Sequence, residues 1–318
     1  LKRRYHLEYD PKNQILVTVG GSEGIDIALR SLVGPGDEVI IPAPYWVSYY
    51  DQVILAGGKP VIIETTLENE FKVLPEQLDL VITPKTRLII FNSPSNPTGM
   101  VYTREEIEGL AKVVKKHEGI YLISDEIYEH ILFKGEHVSM ASFAYIYDRV
   151  ITVNGVSKGY AMTGWRIGYA VGSPELISRL SALQSHETGN PTSISQKAAM
   201  EAIGGDQGKI PQMVAEFRRR RDFIVQALND IEGIKCFCPE GAFYVFPDVS
   251  GLYGRSFQGK KISNSAELID YLLDEANVAA VPGAAFGSDE HIRLSYATSL
   301  KNIEEGLKRI KNALANLS

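Results

Sequence analysis

Lys158 is the residue of this sequence whose surroundings point most directly to chemistry. It lies among small residues in Gly155-Val156-Ser157-Lys158-Gly159, directly after a predicted strand, whereas lysines usually occupy solvated surfaces. A partly buried lysine has a lowered pKa, so its amine can attack a carbonyl carbon and form a Schiff base. Arg166 follows in a glycine-bounded turn, where its planar guanidinium is suited to bidentate phosphate binding. The segment predicts an amine nucleophile beside an anion site.

A second anion site is predicted at Gly20-Gly21-Ser22-Glu23-Gly24, which follows a predicted strand and opens a predicted helix. Backbone N–H groups at a helix start bind phosphate, and glycines allow it to approach closely. The spacing is neither that of a dinucleotide fingerprint nor that of a P-loop. An ordinary strand-to-helix turn in which Ser22 caps the helix explains the same residues.

Two further polar groups follow predicted strands, where ligands bind in open α/β sheets. Asn96 lies in Ser93-Pro94-Ser95-Asn96-Pro97-Thr98-Gly99, a loop stiffened by two X–Pro bonds, either of which could be cis. Asp125 precedes Tyr128 by three residues, so the two could present an anion and a phenol to one planar ligand. The alternatives are a merely stiff loop around Asn96 and a helix N-cap at Asp125.

Four residues close to Asp125 resemble metal ligands by type, namely Glu126, Glu129, His130 and His137. Their spacing fits neither H-E-x-x-H nor H-x-x-E-H. We therefore expect no metal site and predict that these side chains form a solvated face.

The elements that would position these residues alternate between short β-rich runs and helical stretches, as in an α/β domain. The run Leu88-Ile89-Ile90-Phe91 is apolar throughout, which is typical of a strand covered on both faces in a mainly parallel sheet. Strands are predicted at 15–19, 39–41, 60–63, 87–91, 120–124, 150–153 and 166–171. Helices are predicted at 22–32, 103–116, 211–229, 266–276 and 302–317, and Thr103-x-x-Glu106 matches a capping box.

The length of 318 residues is sufficient for two domains. The pattern changes near residue 206, which predicts a large ligand-binding domain over 1–205 and a smaller C-terminal α+β domain over 206–318. A cleft between two such domains is the usual place for a ligand.

Composition excludes several classes of protein. The net charge of −6 argues against a nucleic-acid surface, and no apolar run reaches the roughly 20 residues of a membrane span. The 2 cysteines, Cys236 and Cys238, are too few for a disulfide framework. We expect free thiols, a reducing compartment and a cytoplasmic location.

Residues 155–168 (GVSKGYAMTGWRIG) resemble the pyridoxal-phosphate attachment site of class I/II aminotransferases, the aspartate-aminotransferase-like enzymes of fold type I. Other motifs of that family occur in its order: Pro44-Tyr45-Trp46, Asn96-Pro97-Thr98-Gly99, Asp125-Glu126-x-Tyr128 and Arg293-Leu294-Ser295. The Pro44-Tyr45-Trp46 motif and the sequence around Lys158 are most similar to those of the bacterial aspartate aminotransferases. The resemblance implies an α/β large domain with a mainly parallel sheet between helices, a small C-terminal α+β domain, and a homodimer. Members of the family begin several dozen residues upstream of Leu1, so we expect an N-terminal segment of the family to be missing.

The resemblance also implies roles for individual residues. Lys158 would form the Schiff base with pyridoxal 5′-phosphate and then carry the substrate proton, with Asp125 on the pyridine nitrogen and Asn96 and Tyr128 on the 3′-oxygen. The groups implied for the phosphate are the amides of Gly21, Ser22 and Glu23, the Ser157 hydroxyl and Arg166. Trp46 would stack on the ring and, with Asn96, contact the substrate, whose α-carboxylate Arg293 would bind. Taken singly, Trp46 is equally an ordinary core aromatic and Arg293 an ordinary surface arginine.

The implied reaction is a ping-pong transfer of an amino group from L-aspartate, or a similar amino acid, to 2-oxoglutarate. A dicarboxylate calls for a second cation, for which Arg30 is a candidate, although a solvent-facing arginine at a helix C-terminus describes it better. The alternatives are a C–S β-lyase or another enzyme of fold type I, and a non-catalytic PLP-sensing domain of a transcription regulator. The pairing of Trp46 with Arg293 favours transamination.

Overall fold

A seven-stranded sheet carries most of the predicted site residues at the ends of its strands. The computed structural model describes all residues from 1 to 318. The strand order is β1-β7-β6-β5-β4-β2-β3, and β7 alone runs antiparallel to its neighbours. The strands are β1 (Ile15–Thr18), β2 (Glu38–Ala43), β3 (Lys59–Glu64), β4 (Thr86–Asn92), β5 (Tyr121–Asp125), β6 (Val150–Gly155) and β7 (Gly168–Val171). The expected mainly parallel sheet is confirmed.

Helices cover both faces of this sheet, as the apolar run in β4 predicts. Leu88 and Ile90 pack into a core with the helices that follow β1 and β7, whereas Ile89 and Phe91 pack into a second core with the helix that follows β4. Alternate side chains of a strand point to opposite faces, so an entirely apolar strand needs a cover on each. The helices of this part are α1 (Lys2–Tyr5), α2 (Gly20–Leu32), α3 (Ser48–Leu55), α4 (Pro75–Val81), α5 (Arg104–Lys116), α6 (Pro174–Glu187) and α7 (Ser193–Gly204).

The helix starts show how local sequence sets the element ends. The capping box at α5 is confirmed, because Thr103 and Glu106 each accept a hydrogen bond from the other's backbone N–H. Helix α2 begins at Gly20, two residues earlier than predicted, with Val19 at its N-cap and no side-chain cap from Ser22. The interpretation of Ser22 as a cap is therefore wrong. The Glu23 carboxylate instead accepts a hydrogen bond from the Val19 N–H.

The C-terminal part is built on α8 (Lys209–Asn229), α9 (Ser265–Ala276) and α10 (Leu300–Leu314). A three-stranded sheet of order β11-β12-β8 accompanies them, with a hairpin of β9 (Ser256–Phe257) and β10 (Lys260–Lys261). The strands of the three-stranded sheet are β8 (Tyr244–Val245), β11 (Val281–Pro282) and β12 (Ile292–Ser295). The core of the C-terminal part also contains Tyr128, Ile131 and Phe133 from the segment after β5. The domain division at 205/206 stays a prediction.

Three features of the fold bear on the sequence predictions. The predicted strand 166–171 begins only at Gly168, because Arg166 adopts a left-handed backbone conformation with φ 53°. Periodicity alone did not indicate α1, α3, α4, α6 and α7. None of the helices combines the length and the apolar character that a bilayer span requires.

Candidate active site

The predicted site residues converge on one cavity of about 220 Å³ at the carboxyl ends of β4, β5 and β6. The parallel register aligns Asn92 with Asp125, and Asp125 with Val153, so these strand ends share one edge. Ten of the residues expected in the site line the cavity: Gly21, Ser22, Trp46, Asn96, Asp125, Tyr128, Ser157, Lys158, Arg166 and Arg293. Glu23 is not among them.

Lys158 follows β6 and is half-buried at the cavity wall. Its Nζ lies 5.8 Å from the centre of the Tyr128 ring and 5.6 Å from that of Phe243. Burial lowers the pKa of Lys158, and the positive charge of Arg293 lowers it further, whereas the Asp125 carboxylate raises it. The net lowering is what the sequence predicts for an amine nucleophile.

Asp125 ends β5 as a buried carboxyl group. Its Oδ2 accepts a hydrogen bond of 2.6 Å from the Tyr49 hydroxyl, and its Oδ1 accepts one of 3.1 Å from the Ile127 N–H. Burial raises the pKa of Asp125 to about 6, although both hydrogen bonds oppose that rise. No helix begins at this residue, so the N-cap alternative is wrong. Sequence reasoning missed Tyr49, since nothing in the spacing links α3 to β5.

An anion site lies where α2 begins. Gly21 and Ser22 occupy the first turn of α2, where backbone N–H groups lack helical partners. The Arg166 guanidinium lies against Gly20 so closely that a Cβ there would overlap it, and its Nη1 donates to the Thr163 carbonyl at 3.0 Å. Buried Ser157 completes the lining. A cation, a hydroxyl and first-turn amides therefore face one space.

The Glu23 side chain does not line the cavity, and the role expected for the Glu23 backbone N–H at the phosphate stays a prediction. Its carboxylate accepts hydrogen bonds from the Val19 N–H, the Gln184 amide and the Thr188 hydroxyl, all outside the cavity. A carboxylate in the first turn of a helix satisfies a free N–H group there and stabilises the helix dipole, and here α6 and its C-cap residue supply the other two partners.

Arg293 and Asn96 meet although 197 positions separate them, with Arg293 Nη1 donating to Asn96 Oδ1 at 2.9 Å. Arg293 lies on β12 and is half-buried, so it is no ordinary surface arginine. Asn96 is buried, and its N–H donates to Asn92 Oδ1 at 2.9 Å. The Ser93–Pro94 and Asn96–Pro97 bonds are both cis. The loop is stiff and also presents a polar group to the cavity.

Of the residues suggested for the substrate, Trp46 lines the cavity and Arg30 does not. Trp46 is half-buried, lines the cavity and meets the Tyr49 ring edge-on at 5.3 Å between ring centres. Arg30 does not line the cavity, and its guanidinium pairs with Glu187 and Asp26. Its suggested role as the second cation is wrong, because α2 directs it to the outer surface of the molecule.

Five cavity residues escaped the sequence analysis: Ile25, Asn92, Ile127, Thr163 and Tyr244. Two of them carried a usable signal, since Asn92 directly follows the predicted strand 87–91 and Ile25 follows Ser22 by one helical turn. Tyr244 carried none, because it reaches the site only through the tertiary packing of the C-terminal part.

The predicted solvated face is wrong, because Glu126, Glu129 and His137 are buried. His137 Nε2 lies 2.9 Å from Glu126 Oε2, and Arg4 Nη1 lies 2.9 Å from Glu129 Oε1. Burial alone would lower the pKa of His137, but the Glu126 carboxylate raises it above its usual value. The three groups are close enough together to hold an ion, and each already faces a protein group of opposite charge. The expectation of no metal stays a prediction.

Comparison with known proteins identifies the family. Residues 1–310 match the sequence profile described as aminotransferase class I and II. The chain belongs to this family. An aspartate/prephenate aminotransferase of Cereibacter sphaeroides is 48% identical over 322 residues, covering 100% of this chain and 80% of the relative. An aspartate aminotransferase of Bacillus sp. strain YM-2 is 49% identical over 311 residues, covering 97% and 78%.

The fold is also shared with solved aminotransferases. The aspartate aminotransferase from Rhizobium meliloti matches with a TM-score of 0.96 at 43% identity, over 100% of this chain and 80% of that one. The expected fold of the aspartate-aminotransferase type is therefore confirmed, and the protein is a pyridoxal-phosphate-dependent aminotransferase. These relatives carry aminotransferase names, which favours transamination over the lyase and regulator alternatives.

The residues present fit pyridoxal 5′-phosphate, the cofactor of this family. A buried carboxyl group with a raised pKa faces the cavity, as a partner for a ligand's positive charge. Lys158 supplies an amine, and Arg166 with the start of α2 supplies a phosphate cradle at the other end.

Proposed function

We propose that this aminotransferase takes an amino group from L-aspartate, or a similar amino acid, and passes it to 2-oxoglutarate in a ping-pong reaction. The observation that carries the proposal is the single cavity that joins Lys158, Asp125 and Arg293. The names of the relatives from Cereibacter and Bacillus support aspartate as the donor.

Lys158 is proposed as the residue that moves the proton. Pyridoxal 5′-phosphate, when bound, supplies the carbonyl group that accepts the amino group and the ring that takes up an electron pair. The Lys158 amine would remove the proton from the substrate Cα. Only the neutral amine accepts a proton, so the lowered pKa of Lys158 increases the reactive fraction near neutral pH.

Asp125 is proposed to hold a positive charge at the ring nitrogen. With a pKa raised to about 6, its carboxyl is mostly ionised above neutral pH. The Tyr49 hydroxyl and the Ile127 N–H fix its two oxygens, so the negative charge has a set position. Fixed charges of this kind need no reorganisation during a reaction.

The remaining residues bind and orient. Arg293 is proposed for the substrate α-carboxylate, since its guanidinium can bind both carboxylate oxygens while Asn96 fixes its orientation. Tyr128 and Asn96 are proposed for the 3′-oxygen, and Trp46 for the ring face. The phosphate is assigned to Gly21, Ser22, Ser157 and Arg166.

A distal carboxylate needs a further partner. Once Lys158 and Arg166 are assigned, Arg293 is the one cation left among the cavity residues. We propose that groups from a partner subunit bind the second carboxylate. The proposal thus includes a homodimer. We also propose a cytoplasmic location, with which the free thiols of Cys236 and Cys238 are compatible.

The test is the visible spectrum of the purified protein with pyridoxal 5′-phosphate, before and after L-aspartate is added without an acceptor. We expect a band in the visible range that L-aspartate removes and 2-oxoglutarate restores. Prephenate is a second acceptor to test, since the Cereibacter relative is named for it. Loss of the band with L-alanine but not with L-aspartate would overturn the donor assignment. No band at all would overturn the cofactor site.

A further inference from the structure

Tyr244 is a buried cavity residue to which neither the sequence motifs nor the proposed reaction assigns a role. It lies on β8, which pairs with β12 so that Tyr244 is opposite Ser295 and Val245 is opposite Leu294. Arg293 lies on β12 as well, two residues before Ser295, so its side chain is on the same face of the sheet as that of Ser295. The sheet of the C-terminal part therefore sets Tyr244 beside Arg293.

The ring of Tyr244 supports the Arg293 guanidinium. The guanidinium carbon lies 4.5 Å from the centre of the Tyr244 ring and 4.9 Å from that of Phe286. Asn96 Oδ1 accepts the hydrogen bond from Nη1. An arginine side chain has many rotamers, and these contacts restrict it to one orientation before a carboxylate binds. Pre-organisation of this kind lowers the entropic cost of ligand binding.

The hydroxyl of Tyr244 contacts the other half of the site. It lies 2.9 Å from the Tyr128 hydroxyl, and the two rings meet edge-on at 5.9 Å. Both tyrosines are buried, so their hydroxyl groups have little access to water. A phenol whose oxygen accepts a hydrogen bond is a stronger donor through its own proton. Tyr244 can thus strengthen the bond that Tyr128 is proposed to donate to the 3′-oxygen.

We propose that Tyr244 is a positioning residue with two separable tasks: its ring orients Arg293 for the substrate carboxylate, and its hydroxyl fixes the Tyr128 phenol for the cofactor. The inference rests on the roles proposed above for Arg293 and Tyr128. Because the ring and the hydroxyl contact different partners, two substitutions separate the tasks.

The hydroxyl task is tested with Tyr244→Phe, which keeps the ring. In the protein loaded with pyridoxal 5′-phosphate, the pH midpoint of the visible band should rise by about half a unit or more, because a weaker hydrogen bond stabilises the anionic 3′-oxygen less. The dissociation constant of maleate, a carboxylate without an amine, should change less than about twofold, since the ring contact with Arg293 persists. An unchanged midpoint overturns this task.

The ring task is tested with Tyr244→Leu and the matched variant Phe286→Leu, which removes the other ring in contact with Arg293. Both should weaken maleate binding about three- to tenfold, as expected for loss of one cation–π contact. Only Tyr244→Leu should also shift the midpoint. Equal shifts of the midpoint in both variants would indicate a general packing effect and overturn the proposal.

Reference variants separate this inference from the proposed function. Arg293→Lys should weaken maleate binding and Tyr128→Phe should move the midpoint. If neither does, the proposed roles of those residues fail first. If both do and Tyr244 variants change nothing, the inference about Tyr244 fails alone. Should Tyr244→Leu not fold, Tyr244→Met fills the space with a flexible side chain and gives the same readout.

Discussion

At the residue scale, the site is organised around two groups whose charges burial disfavours. Burial lowers the pKa of Lys158 and raises the pKa of Asp125 to about 6, so both move towards neutral pH. Neither side chain is hydrogen-bonded to a group of opposite charge. The Asp125 carboxylate accepts hydrogen bonds from two neutral groups, the Tyr49 hydroxyl and the Ile127 N–H. Such groups are costly for folding and useful for function, because a ligand can supply the missing counter-charges.

Replacing Lys158 with Ala should lower the rate of amino-group transfer at least about a thousandfold, because no other amine lines the cavity to carry the substrate proton. Pyridoxal 5′-phosphate should still bind through its phosphate and ring contacts. Single-turnover kinetics and cofactor fluorescence check the two parts. Ordinary turnover by the variant would contradict the assignment of Lys158.

Replacing Asp125 with Asn should change how stability depends on pH in the cofactor-free protein. The folded-state pKa of Asp125, about 6, exceeds the usual value of 3.8 for an aspartate, so the folded form favours the protonated carboxyl. Wild-type stability should fall, relative to the Asn variant, as pH rises from about 4 to about 6. The difference should then level off at about 3 kcal/mol.

Urea denaturation of both proteins between pH 4 and pH 8 measures this difference. A constant difference across that range would show that Asp125 titrates normally. The same substitution should greatly slow transamination, since Asn provides no negative charge for the ring nitrogen.

At the element scale, the close contact between β7 and the start of α2 fixes the anion site. A Cβ at Gly168 would lie 2.5 Å from the carbonyl carbon of Gly20 and 2.5 Å from the Gly21 nitrogen. Both neighbours are backbone atoms, which cannot move aside as a flexible side chain would. The glycine therefore lets the strand approach the loop closely enough to hold the first turn of α2 beside Arg166.

Gly168→Ala should destabilise the protein by about 1–3 kcal/mol, as overpacking against backbone does, and should weaken the binding of pyridoxal 5′-phosphate. The matched control is Gly306→Ala in the middle of α10, where an added Cβ meets nothing within 4 Å. The control should gain about 0.5–1 kcal/mol with unchanged cofactor binding. Equal stability of the two variants would contradict the proposed role of the β7 contact.

At the scale of the whole molecule, two groups of large apolar side chains stay exposed on one chain. Ile194 and Met200 on α7 are 74% and 63% exposed, and Ile54 and Leu55 on α3 are 50% and 76% exposed. Helix α7 buries only Ala199, which is unusual for a helix of a globular protein. Exposed apolar side chains on a helix that buries so little support the proposed homodimer.

The homodimer predicts a mass in solution of twice the 35.1 kDa of one chain. The double substitution Ile194→Glu with Met200→Glu should shift the protein to the monomer, because charges disfavour an apolar interface. The control is Leu80→Glu, an isolated exposed leucine on α4 that is 85% exposed. Sedimentation velocity distinguishes the outcomes, and a dimer that survives the double substitution would place the interface elsewhere.

The sequence by itself determined the reaction chemistry and most of the local structure. Residue types near Lys158, Asp125 and Asn96 indicated a strand-end site because ligands bind at the carboxyl ends of parallel strands. Apolar continuity predicted the buried strand β4, and Thr103 with Glu106 predicted the start of α5. These signals are local, since propensity, capping and alternation act over only a few residues.

Only the tertiary structure decided which distant groups complete the site and which do not. It brought Arg293 to Asn96 and Tyr244 to Tyr128, directed Glu23 and Arg30 away from the cavity, and buried Glu126 and His137 as a paired network. Spacing could not show this, because burial and partner choice depend on how elements far apart in the chain pack together. The sequence alone does not distinguish a carboxylate on a solvated face from one in a buried ion pair, because the difference lies in its neighbours in space.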